Sequence, residues 1–181
     1  MPRRQPPASQ PLPCVWLVSD ARNDARLELA LRRLPRGSGL IFRHYHLDAI
    51  ERLARFARLA RIARAHGHCV VLAGPAREAR RWGADGAYGP PGQLAQGPAC
   101  LRLVTAHGLR ELAQARRARA TAILLSPVFK TRSHPGAKVL GPVRFRLLAW
   151  HASVPVIALG GVNRHRARAL AAEKWAAIDG I

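Results

Sequence analysis

From Cys14 to Ile181 the chain repeats one pattern. A short run of apolar, often β-branched residues is followed by a longer Ala/Leu/Arg segment whose apolar positions recur three and four apart. Short apolar runs bounded by polar turns read as buried strands, and the 3.6-residue period reads as a helix packed on one face. The strand-like runs are Cys14–Ser19, Gly39–Arg43, Cys69–Leu72, Gly86–Tyr88, Cys100–Thr105, Ala122–Ser126, Val154–Leu159 and Trp175–Ile178, eight in all. The helical segments are Arg26–Arg33, Leu47–Ala65, Ala76–Trp82, Leu109–Ala118, Val143–His151 and Arg164–Ala172. In Leu47–Ala65 the positions expected to face inward are Leu47, Ile50, Leu53, Ala54, Ala57, Leu59, Ala60 and Ile62. Between the fourth and fifth strands only Pro90–Pro98 remains, too short and too rich in proline and glycine for an ordinary helix.

Strands alternating with helices predict a parallel sheet with right-handed crossovers. Eight of them favour a closed barrel over an open doubly wound sheet. The expected fold class is therefore α/β, a (β/α)8 TIM barrel. Only three residues follow the eighth strand-like run, so the usual final helix is expected to be lacking. The Pro-rich leader or a partner subunit in a homodimer would cover that side. Met1–Pro13 holds five of the 14 prolines and no periodicity; it reads as a flexible leader to a single domain over residues 14–181.

Composition narrows this picture. With 181 residues and 49% hydrophobic content, the chain can bury a full core and is not of disordered type. Its longest apolar runs, such as Thr121–Val128 and Val154–Leu159, are too short to span a bilayer. Prolines stand where a signal peptide would carry its apolar stretch, so a cytoplasmic protein without membrane contact is expected. Cys14, Cys69 and Cys100 are scattered and odd in number, which suits small buried hydrophobes rather than a disulfide framework or a zinc site. The net charge of +20 raises nucleic-acid binding as a function. Lysine, however, occurs only at Lys130, Lys138 and Lys174, and many of the arginines lie among alanines on outer helix faces. No basic strand interleaved with aromatics is present, so nucleic acid is not expected as a partner.

A barrel of this type carries its site on the loops that follow the strands. Those loops supply Asp20–Asn23, Arg43–His46, Ala73–Gly74, Tyr88–Gly92, Thr105–His107, Ser126–Gly136, Gly160–Asn163 and Asp179–Gly180. They are rich in Arg, His, Ser, Thr and Gly and poor in carboxylates, an inventory suited to an anionic, phosphorylated ligand. Gly160–Gly161 leads from a strand into a helix, where backbone N–H groups can approach phosphate oxygens. Lys130, Thr131, Arg132, Ser133 and His134 form a basic, hydroxyl-bearing loop suited to phosphate or diphosphate capture.

These residues carry a family resemblance. Ser126-Pro127-Val128-Phe129-x-Thr131-x-Ser133-His134-Pro135-Gly136, followed by Leu140-Gly141, resembles the strand-six loop of thiamine-phosphate synthases. Val154–Val162 resembles their strand-seven phosphate turn, and Gly83–Gly86 and Val104–His107 match in the same order. The resemblance runs from about Val15 to Ile181. It implies a thiamine-biosynthesis enzyme whose partners are phosphorylated thiazole and pyrimidine small molecules. A synthase of this family joins hydroxymethylpyrimidine diphosphate to thiazole phosphate and releases pyrophosphate, with Mg2+ as cofactor. The related TenI-like thiazole tautomerases move a proton with a histidine after strand five and need no metal. A third alternative is a non-catalytic paralogue that binds a phosphorylated ligand.

Carried onto this chain, the resemblance assigns catalytic roles to His107, Arg43 and Thr131. It assigns phosphate or substrate binding to Thr105, Lys130, Arg132, Ser133, His134, Gly160, Gly161 and Gly180. Tyr45 stands where the family has a lysine, and Ala73–Gly74 stands where it presents the first magnesium carboxylate. Gly89–Gln93 lacks the second. Of the ten acidic residues only Asp20 and Asp179 fall at catalytic-end positions, so any magnesium is expected between them, with Arg22 and Arg43 as rival partners.

Overall fold

In the computed structural model, residues 11–132, 136, 138–179 and 181 are described. Most of the leader, and Ser133, His134 and Gly180 among the residues singled out above, lie outside them. Eight parallel strands close into a barrel in chain order, the first pairing with the eighth. They are β1 Val15–Val18, β2 Gly39–Phe42, β3 Cys69–Ala73, β4 Gly86–Gly89, β5 Leu101–Ala106, β6 Ala122–Leu125, β7 Val156–Ala158 and β8 Trp175–Ala177. The helices are α1 Leu27–Arg33, α2 Ala49–Ala65, α3 Ala76–Arg81, the single turn α4 Pro91–Leu94, α5 Leu109–Arg117, α6 Gly141–Trp150 and α7 Arg164–Ala169. A 3-10 turn, Ala21–Arg26, precedes α1. The (β/α)8 barrel expected from the alternation is the fold.

Strand residues are buried on both faces because each strand separates two cores. Trp16, Val18, Ile41, Val71, Leu103, Leu124 and Ile157 point into the barrel. Leu17, Leu40, Phe42, Leu72 and Leu125 point outward against helix residues such as Leu27, Leu31, Phe56 and Leu59. Trp16 shows how sequence and packing interlock. A Cβ on Gly39 of the neighbouring strand would fall on the indole ring, so glycine there makes room for the largest side chain inside the barrel. The indole Nε1 donates to the Pro13 carbonyl at 2.9 Å, so burying this ring leaves no orphan donor. On the outer face of β5, the buried Arg102 donates to the carbonyls of Ala118 (3.0 Å), Gly97 (3.1 Å) and Pro98 (3.3 Å).

The inner face of α2 differs from the periodicity reading. Its buried residues are Phe56, Leu59, Ala60 and Ala63, while Ile50 is 82% and Leu53 44% exposed, and Ala54 and Ala57 also face solvent. The stripe is rotated because two arginines sit on the inner side. Arg52 donates to the carbonyls of Arg43 and Ala73, and Arg55 binds Asp24 and Glu28. Binary patterning counts arginine as a surface residue, whereas here it closes carbonyl ends and ion pairs that an apolar residue could not satisfy. Cys14 is likewise exposed rather than buried, and Cys69 and Cys100 are half-buried.

Among the described residues no helix follows β8. A groove of about 730 Å³ lies between α1 and α7, lined by Val15, Leu29, Leu34, Ala167, Trp175 and Ile181 among others. No described helix is long and apolar enough to cross a membrane.

Candidate functional site

The C-terminal ends of the strands surround a cavity of about 960 Å³. Among the described residues its wall carries six permanent cations, Arg22, Arg43, Lys130, Arg132, Lys138 and Arg144, against a single carboxylate, Asp179. Thr105, His107, Thr131, Gly160 and Gly161 line the same space, so most of the residues predicted from sequence converge there. Lys138, Arg144, Tyr88 and Asn163 also line it, and were not assigned roles in advance. Arg144 is the recoverable one: it lies in the first turn of α6, just beyond the basic loop.

The glycine turn is built by close approach. Gly160 has φ 92° and Gly161 φ 62°, both in the region that favours glycine. A Cβ at Gly160 would lie 2.6 Å from Pro127 Cα, and one at Gly161 would lie 2.9 Å from Phe129 Cβ. The two loops are stitched together: Val128 N–H donates to Leu159 O and Phe129 N–H to Gly160 O, each at 2.9 Å. Asn163 caps α7 by accepting from Arg166 N–H at 2.9 Å. Arg166 also donates to Gly161 O at 2.6 Å and lies over the Phe129 ring. The turn after β7 is therefore hydrogen-bonded to the start of the loop after β6.

His107 follows β5, and its backbone N–H donates to Glu111. Its Nδ1 lies 2.5 Å from the Ser126 carbonyl oxygen. A carbonyl only accepts, so Nδ1 carries the proton and Nε2 keeps its lone pair in the neutral ring. Tyr88 is almost fully buried beside Arg43 and Tyr45, and burial pushes its phenol up to about 12. The phenol is thus a neutral hydrogen-bonding group at the cavity wall.

The predicted magnesium pair has another occupant. Asp20 caps the 3-10 turn, accepting from Arg22 N–H at 3.3 Å and Arg22 Nε at 3.0 Å. Arg22 Nη1 lies 3.9 Å from Asp179 Oδ2, so one guanidinium stands between the two carboxylates. Burial raises the Asp20 carboxyl, but the Arg22 hydrogen bonds and the charges of Arg22 and Arg43 outweigh it and hold the group below its ordinary value. At the end of β3, Ala73 and Gly74 offer no side-chain oxygen, and the Ala73 carbonyl accepts from Arg52 Nη2 at 2.7 Å. Among the described residues no three His, Cys, Asp or Glu side chains converge as a metal site. Mg2+ requires hard oxygen donors; Arg22 stands between Asp20 and Asp179, Arg52 takes the Ala73 carbonyl and Gly89–Gln93 carries no carboxylate, so these residues do not fit a magnesium ion.

Fold and cavity together define a class: a (β/α)8 barrel with a cation-lined cavity at the C-terminal ends of its strands. Residues 15–181 match the family model described as thiamine monophosphate synthase, and the chain belongs to that family. It is 39% identical over 59 residues to the "Putative thiamine-phosphate synthase 2" of Aquifex aeolicus, covering 33% of this chain and 32% of the relative. It is 37% identical over 65 residues to the thiamine-phosphate synthase of Chloroflexus aurantiacus, covering 35% and 30%. Each match thus spans about a third of the relative's length. Among solved structures, thiamine phosphate pyrophosphorylase from Pyrococcus furiosus superposes with a TM-score of 0.76 at 21% identity, over 92% of this chain and 85% of that one. A HpcH/HpaI aldolase/citrate lyase family protein from Burkholderia cenocepacia superposes at 0.59 with 14% identity, over 91% and 87%. Both likenesses speak for the fold alone.

Proposed function

We propose that this chain is a cytoplasmic thiamine-biosynthesis transferase that joins a pyrimidine diphosphate to a thiazole phosphate and releases pyrophosphate. The observation that carries the reading is the charge lining the cavity among the described residues, six cations against one carboxylate in two groups, of which the first also pairs with Asp20 just outside the lining. Arg22 and Arg43 stand on the β1–β2 side. Lys130, Arg132, Lys138 and Arg144 stand on the β6–α6 side beside the Gly160–Gly161 turn. Two cationic groups suit two anionic ends, a phosphate and a diphosphate. The departing diphosphate takes the bonding electron pair, so its negative charge grows as the bond breaks. Fixed guanidinium and ammonium groups stabilise that charge without reorganising. In this reading Thr131 and Thr105 hydrogen-bond the phosphorylated ligand, and no step requires a divalent cation.

The experiment is turnover of the two substrates with and without Mg2+, in wild type and in Asp20→Asn/Asp179→Asn. Pyrophosphate release without added metal, retained in the double variant, is expected. Release strictly dependent on Mg2+ and lost in the double variant would restore a metal between those carboxylates.

A second reading, proton transfer on a thiazole carboxylate phosphate, is favoured by His107. With Nδ1–H given to Ser126, Nε2 keeps its lone pair and is the general base of that step. His107→Asn should then abolish tautomerisation while leaving inorganic phosphate binding unchanged. If neither reaction turns over in wild type but phosphate binds, the chain is a ligand-binding paralogue.

A further inference from the structure

Beside the cavity, but not lining it, three side chains from three separate segments form a hydrogen-bonded relay whose serine and histidine are buried. Ser19 follows β1, Asp24 lies in the 3-10 turn and His44 follows β2. Ser19 Oγ is 2.7 Å from His44 Nδ1, and His44 Nε2 is 2.7 Å from Asp24 Oδ1. Ser19 is 0% and His44 1% exposed. Burial lowers the His44 ring below its ordinary 6.5, more than the Asp24 carboxylate raises it, so the ring is neutral at pH 7. The proton assignment follows. Nε2–H donates to Asp24, Nδ1 accepts the Ser19 hydroxyl proton, and Ser19 Oγ accepts the backbone N–H of Arg43 at 2.8 Å. The Ser19 hydroxyl gives its proton to His44, accepts the Arg43 N–H and is fully buried, so Ser19 is not a nucleophile despite the Ser–His–Asp order.

What the relay holds is Arg43. Its N–H is fixed by Ser19, and its carbonyl accepts from Arg52 Nε at 2.9 Å. Asp24 is itself held by Arg55, whose Nε donates to Oδ1 at 2.8 Å and whose Nη2 donates to the main-chain oxygen at 2.9 Å. His44 adopts φ 41°, a left-handed conformation that a β-carbon disfavours, and its ring stacks on Phe42 with centroids 4.7 Å apart. A strained backbone held by a complete network next to a binding residue is the pattern expected when geometry matters there. The Arg43 guanidinium itself faces the cavity and makes only a long ion pair, Nη2 to Asp20 Oδ2 at 3.8 Å, and its buried Nε has no hydrogen-bond partner among the described residues.

We propose that the Asp24–His44–Ser19 relay is a positioning device that presents the Arg43 guanidinium to an anionic group of the bound ligand. The proposal rests on the anion-binding reading of the cavity. Its test is a mutant cycle read by calorimetry with inorganic pyrophosphate, alongside thermal melts. Arg43→Met should weaken pyrophosphate binding about tenfold or more. His44→Gln and the milder Asp24→Asn, which keeps the ring and the fold, should each weaken it about threefold to tenfold. Neither should weaken it further in the Arg43→Met background, because coupled residues are not additive. A merely structural role predicts a lower melting temperature with unchanged affinity. If Arg43→Met weakens binding while His44→Gln and Asp24→Asn bind like wild type, the relay proposal is overturned and the cavity reading stands. If wild type does not bind pyrophosphate, or Arg43→Met binds it normally, the cavity reading falls and the relay proposal falls with it.

Discussion

Gly160→Ala tests the join between the β7 turn and the β6 loop. One methyl group is added where φ is 92° and where it would lie 2.6 Å from Pro127 Cα, 2.8 Å from Pro127 Cβ and 3.2 Å from Val128 N. Two costs combine. A non-glycine residue held at positive φ costs about 1–3 kcal/mol. Forcing a methyl against backbone that cannot rotate away costs roughly 1–3 kcal/mol more. The total is about 2–6 kcal/mol, which for a domain of this size lowers the melting temperature by roughly 4–24 °C. The displaced atoms belong to the loop carrying Lys130, Thr131 and Arg132, so inorganic phosphate affinity should fall by about tenfold or more. Gly92→Ala is the control, because a Cβ there meets nothing within 4 Å and its φ is not positive; melt and affinity should stay near wild type. Scanning calorimetry and titration calorimetry on the three proteins decide the matter. A Gly160→Ala protein that melts within about 1 °C of wild type and binds phosphate equally would refute the argument.

Two further predictions follow from buried polar groups. Stability should fall in two stages as the solution is acidified. The rings of His44 and His68 are held below 6.5, mainly by burial, so the unfolded chain takes up more protons there and stability declines as pH drops below about 6.5. Asp20, Asp24 and Glu28 lie below their ordinary 3.8, 3.8 and 4.5. Burial opposes that shift most strongly in the two aspartates, but arginine and, for Asp24, His44 outweigh it. Their stabilisation is present above those values and lost as pH falls through the lower folded ones. A melting temperature that rises between pH 6.5 and 5 would contradict the sign. Separately, Arg102→Met strips the donors from three carbonyls and should cost about 2–4 kcal/mol in urea unfolding; an unchanged midpoint would mean that water replaces the guanidinium without loss.

Period and order along the chain were enough to determine the barrel. Eight short apolar runs separated by helical segments leave little choice once crossovers must be right-handed, and each observed strand overlaps a predicted one with its ends no more than two residues away. The site was legible as an inventory, because a barrel collects whatever follows its strands at one end. Gly160–Gly161, Lys130, Arg132 and His107 could be assigned to one cavity before any distance was known. Pairing was not legible. Asp20 and Asp179 follow adjacent strands, as metal ligands would, but whether an ion or a guanidinium stands between them depends on the reach of Arg22, which spacing does not encode. The inner face of α2 was misread for the same reason: Arg52 and Arg55 count as surface residues in a pattern, yet they point inward to close the carbonyls of Arg43 and Ala73 and to bind Asp24 and Glu28. Ser19, Asp24 and His44 carry no mutual signal in the sequence at all. They meet only because β1 and β2 pair in register and place the ends of the two strands side by side, and three-body hydrogen bonding of that kind is decided by tertiary structure alone.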